Sequence, residues 1–246
     1  MKLKIQKKIP KLHQRNEIFL REIEKPQYLD IDSDIEIMLA DIATFDVECD
    51  ELVSKRESIQ EYQRTLDMGE ISQFNDVEEA KRKHIYRAKL WRALNDWTNM
   101  IRRWETAAFD DIDVEKIAAT SDKFSKTAIQ CERNLDPTST AVMRLKKLVF
   151  DFKETMPIVK ALGCEYLQPI HWAEIRELLK IPEDFALEEK QWTLGELMEF
   201  NVADKQEDVE LIATTATHEF KLNAGMKAIQ DTWATTEFTV MPHPHG

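Results

Sequence analysis

Only five glycines punctuate the 246 residues, three cysteines lie far apart, and no run of apolar residues approaches the length of a membrane span. The scarcity of glycine leaves almost no room for phosphate-cradling loops and disfavours turn-rich β architecture. Cys49, Cys131 and Cys164 are odd in number and form no CxxC pair, which excludes a disulfide framework and the usual zinc or redox motifs; a reducing compartment fits. A helical span needs about 18 consecutive apolar residues. The basic opening MKLKIQKKIPKLHQR precedes no apolar h-region and reads as no signal peptide, so a soluble chain without a membrane partner is expected. A formal net charge of −12 likewise argues against a nucleic-acid partner, because affinity for phosphate backbones comes from clustered Lys and Arg.

What is present is helical pattern. With 43% apolar and 33% charged residues, the expected class is all-α, in elongated bundles, with a short strand or extended segment near the C-terminus. From Ile35 to Leu66 a 3,4 alternation marks one long helix, with Ser33 and Glu36 as a capping box and Gly69 as its stop; Arg56 and Gln63 interrupt the seam and favour a bundle over a coiled coil. A second helix over 77–107 places Leu90, Leu94, Trp97, Ile101 and Trp104 on one face, widened by Trp91. Rings at that spacing read as core, not as a ligand cage.

Two more helices follow, one through Ile117 and Phe124 to Asn134, and one starting at Asp136-Pro137 that runs through Phe152 and meets Pro157 near its end. A helix after Pro169 carries Trp172 and Ile175 on one face. Thr193 with Glu196, and Asp204 with Glu207, are capping boxes for two further helices, and a last helix near 223–234 should bury Ile229 and Trp233. Thr235 to Val240 alternates like a strand. The polar stretch around residues 69–83 is the best candidate for a boundary between two helical parts.

Chemistry is sparse. The phosphate-loop, GxGxxG, HExxH and GxSxG fingerprints are all missing. Asp110, Asp111 and Asp113 sit just ahead of a helix, where carboxylates serve the helix dipole on a solvated face. His243 and His245 in PHPHG are two imidazoles where a structural metal site wants about four ligands. Cys164 lies seven residues before His171 without a third orienting group, so neither catalysis nor a cofactor is expected, and His171 is read as satisfying a hydrogen bond near a helix entrance or packing beside the connector.

The order of segments carries more than any one of them. FKETMPIVKALGCEYLQPIHWAEIRELL, from Phe152 to Leu179, resembles the entry to the linker domain of dynein heavy chains, in which an F-K-x-x-x-P run leads through a connector to an H-W-x-x-I helix. LWRALNDWTNMIRRWETAAF, WTLGELMEFNV and KAIQDTWATTEFTVMPH resemble the flanking segments, in the right order over residues 87–243. Trp91, Trp97, Trp104, Phe109, Phe152, Pro157, His171, Trp172, Ile175, Leu194, Trp233 and Phe238 are the family markers and expected core. Pro169 stands where the family often has a basic residue, and Gly163-Cys164 where it has Asn-Pro; both changes bear on the connector.

The resemblance, closer to axonemal than to cytoplasmic heavy chains, implies a tail segment over residues 1–86 and the N-terminal linker subdomain over 87–246. It implies a non-catalytic mechanical element of a microtubule motor in a ciliary axoneme, or alternatively in cytoplasm. The partners implied are the rest of the heavy chain with its ATPase ring, where ATP and Mg would bind, and intermediate, light or other axonemal chains. A truncated relative serving as a helical docking module is the alternative.

Overall fold

The computed structural model describes residues 2–200 and 202–237, and these are all-helical. In chain order the helices are α1 (Lys2–Ile23), α2 (Ile35–Thr65), α3 (Asn75–Thr106), α4 (Val114–Asn134), α5 (Thr140–Leu162), α6 (Pro169–Leu179), α7 (Leu194–Met198) and α8 (Gln206–Thr235). No helix among the described residues is long and apolar enough to cross a membrane. The one isolated β pairing among them is the antiparallel bridge between Ala108 and Thr193. Thr235 ends α8 and Thr236 is extended, but residues 238–240 of the expected strand, Phe238 among them, and His243 and His245 lie outside the described residues.

Two compact units form, both discontinuous in sequence. The first takes the chain through Arg103 together with Lys116–Glu154; the second takes Trp104–Glu115 and everything from Thr155.

In the first unit α1 and α2 run antiparallel, because Arg15 reaches Glu48 and Glu51 while Lys8 lies against Tyr62. Ile5, Leu12, Phe19 and Ile23 of α1 interdigitate with Cys49, Leu52 and Ile59 of α2 and with Phe74, Val77 and Ala80 at the start of α3. Gln63, expected as a break in the seam, is buried and clamps the following turn: its amide donates to Ser72 Oγ (2.8 Å) and accepts from Ser72 N (3.0 Å). Trp91 is buried with its indole N–H donated to the carbonyl of Tyr28 at 3.0 Å. Trp97 lies 5.2 Å from Phe124 and edge-on to Phe152.

Several sequence expectations need correcting. The cap of α2 is Asp34, whose carboxylate accepts from the N–H groups of Glu36 and Ile37, while the Ser33 hydroxyl donates instead to Gln27 O. Pro137 precedes α5 without entering its first turn; Asp136 closes a turn over it, and Ser139 Oγ receives the N–H of Val142. Asp204 falls in a short 3-10 turn, so α8 begins at Gln206 with no side-chain cap. The two helices expected over 204–220 and 223–234 are one, since a single Gly225 costs only about 1 kcal/mol against alanine and cannot break a run of good helix formers. Every residue from His218 to Glu237 is exposed, including Ile229 (59%) and Trp233 (61%), so the expected burial of that pair does not occur. Within the second unit α8 meets α6, with Glu219 facing His171.

Candidate functional site

The segment between α5 and α8 in the second unit carries four of the marker residues, His171, Trp172, Ile175 and Leu194. Leu162, fully buried, ends α5, and Gly163 follows where a Cβ would stand 3.0 Å from Val114 Cγ2 and 3.2 Å from Val159 O. Close approach, not a left-handed backbone, is what asks for glycine here. The connector then fastens to α8 at successive levels. Cys164 Sγ lies 3.5 Å from Thr217 Oγ1, and the Tyr166 ring stacks on Phe220 at 4.3 Å.

At the entrance of α6, Pro169 takes the first position, where its missing N–H costs nothing. His171 Nδ1 accepts the backbone N–H of Gln168 at 3.1 Å, the helix-entrance bond the sequence suggested. In the neutral ring the proton therefore sits on Nε2, which faces Glu219 Oε2 on α8 at 3.3 Å. His171 itself is buried, whereas Glu219 is half exposed. Trp172 is buried (4%), with the Lys190 ammonium 5.6 Å over its ring, and Ile175 is fully buried. Lys190 adopts φ 53° in the turn that brings its carbonyl to the N–H of Asp110 at 2.9 Å.

Phe109 and Trp192 complete this layer. Their rings stack at 4.4 Å, Phe109 N donates to Trp192 O at 2.8 Å, and the Trp192 indole donates to Leu187 O at 2.9 Å. Thr193 and Glu196 cap α7 reciprocally, as read from TLGE, and Leu194 is buried beside them. Trp104 and Pro157 are half-buried in this unit; Trp91, Trp97 and the half-buried Phe152 belong to the other. Trp233 is on the exposed stretch of α8.

Cys164 and His171 each turn to a different residue of α8, Thr217 and Glu219. No group of three or more metal-capable side chains converges among the described residues. Glu219, Thr217 and Phe220 were missed by the sequence reading, and their spacing along α8 carries no signal of a common partner.

The order of buried tryptophans, the His-Trp helix start and the capped TLGE turn all fall within a single family match. The description "Dynein heavy chain, N-terminal region 2" covers residues 77–246. The chain belongs to this dynein heavy chain family. It is 28% identical over 228 residues to dynein axonemal heavy chain 6 of Homo sapiens, covering 93% of this chain and 5% of that protein. It is 23% identical over 199 residues to human dynein axonemal heavy chain 2, covering 78% and 4%. To the dynein-1-beta heavy chain of the flagellar inner arm I1 complex of Chlamydomonas reinhardtii it is 24% identical over 162 residues, covering 66% and 4%. The chain thus spans about a twentieth of the length of the dynein heavy chains it matches.

Proposed function

We propose that the chain is a mechanical element of an axonemal dynein heavy chain, with residues 1–86 ending the tail and residues 87–246 opening the linker. It passes nucleotide-driven shape change of an ATPase ring to the tail. ATP, Mg and microtubules are handled elsewhere in such a heavy chain, and its surroundings are the axoneme and its associated chains. One observation carries the reading: the His-Trp helix, the strongest family marker, is fastened through Cys164, Tyr166 and His171 to three levels of α8. A lever needs such a well-packed joint.

The test is a full-length heavy chain carrying Trp172→Ala. Retained ATP turnover with slowed microtubule gliding is expected. Gliding at wild-type speed in a variant shown to loosen the joint would remove the role.

A second reading, a docking module acting without a ring, is favoured by the exposed apolar face of α8 formed by Leu222, Met226 and Ile229. Purification from ciliary extract separates the two. Recovery only with ring-containing heavy chains supports the first, and recovery in complexes lacking them supports the second.

A further inference from the structure

The chain carries net charge −12, yet residues 2–15 hold six Lys or Arg and no acid. Part of that charge is folded into a cleft. Where α1 and α2 cross side by side, a cavity of about 470 Å³ opens, edged by Lys8, Lys11, Arg15 and Lys55, with no carboxylate among the residues lining it. Arg15 is turned toward Glu48 and Glu51, and Lys55 toward Glu51, behind the rim. No carboxylate among the described residues pairs with Lys8 or Lys11. Both are exposed, and the Lys8 ammonium lies 5.7 Å over the Tyr62 ring. Leu12 and Ile59, both buried, form the floor, and the Ser54 and Ser58 hydroxyls line the α2 side.

We infer that this cleft is a docking site for an acidic peptide segment, one in which an aromatic or aliphatic residue sits between glutamates or aspartates. Charge complementarity selects an anion, since cations face the cavity in an otherwise acidic protein. The geometry selects an extended peptide over a bound phosphate. The cleft lies between the flanks of two helices whose N–H groups are consumed internally, and neither a helix N-terminus nor a glycine loop opens into it. Lysines are hydrated point charges on flexible stems and suit carboxylates spaced along a chain. Tyr62 and the aliphatic floor supply the apolar contact that a simple ion would not use.

The test uses the intact chain and a short fluorescein-labelled peptide of alternating Glu with one central Phe, followed by anisotropy at low ionic strength. Saturable binding is expected, weakened by salt. The double variant Lys8→Glu/Lys11→Glu should lose at least about tenfold in affinity, a difference of about 1.4 kcal/mol, while Lys126→Glu on α4 leaves it unchanged. Tyr62→Ala should weaken the Phe-containing peptide and spare an all-Glu one. Circular dichroism shows that each variant is folded.

Absence of peptide binding overturns the proposal, as does equal binding by the double variant. It is also overturned if phosphatidylserine vesicles or inorganic phosphate engage Lys8 and Lys11 while the peptide does not, or if the lysines serve only self-association seen by sedimentation.

Discussion

His171 and Glu219 face one another from α6 and α8 at 3.3 Å, and the same imidazole closes the entrance of α6 by accepting from Gln168 N. The two partners are unequal, because the ring is buried and the carboxylate half exposed. Glu219→Ala should therefore cost no more than about 1 kcal/mol, as for exposed ion pairs. His171→Ala, which removes a buried ring and also strips the Gln168 N–H of its acceptor, should cost about 1–3 kcal/mol more. Urea denaturation of both variants checks the order, and equal losses would mean that the cap bond contributes nothing.

Trp172→Ala removes a buried ring at the centre of the joint. A loss of roughly 3 to 5 kcal/mol is expected by guanidinium denaturation. A loss below about 1 kcal/mol would place the ring outside the packed layer.

Two glycines should respond oppositely to alanine. Gly163→Ala puts a methyl 3.0 Å from Val114 and should destabilise by about 1–3 kcal/mol through overpacking. Gly225→Ala meets nothing within 4 Å and should stabilise α8 by up to about 1 kcal/mol. Thermal melts of the pair read both signs directly.

The thiols should separate by reactivity. Burial pushes Cys131 up to about 11 and raises Cys49 as well, and both are buried, whereas Cys164 is only half-buried. Iodoacetamide at mildly alkaline pH should modify Cys164 first, and the other two only after unfolding, as mass mapping will show.

Acid should loosen the first unit. Hydrogen bonds from Lys83 to Glu79 and from Lys55 to Glu51 hold these carboxyls below their ordinary value. Their contribution is present above the unfolded value of about 4.3 and is lost as pH falls through the folded one. Lys83, held above its usual value by Glu24 and Glu79, contributes below its unfolded value and loses this as pH rises through the folded one. Lys83→Met should flatten both limbs of melting temperature against pH, though modestly, because its carboxylate partners are exposed.

Period made α2 through α6 legible, since each buries one face against a partner. α1 was not read, although Ile5, Leu12, Phe19 and Ile23 repeat at helical spacing, because Pro10 and seven cations obscured the stripe. The entrance bond of His171 could be anticipated from its place beside Pro169. Its second partner could not, for Glu219 is 48 residues away and nothing local distinguishes it from the other surface acids of α8. Trp233 misled for the opposite reason: an aromatic at helical spacing reads as core whether it is buried or, like Trp233, exposed, because periodicity reports a face and not its burial.

The discontinuity of the two units fixes an order on the ribosome. Residues of the first are complete once Glu154 has emerged, but Phe109, laid down early, waits for Trp192 before it can stack. At about 5–20 residues per second, that wait lasts several seconds, during which an apolar ring and the Ala108 edge stand open in the nascent chain. Slow codons between α5 and α7 would prolong this exposure, and a chaperone that shields the region around Phe109 would matter most there.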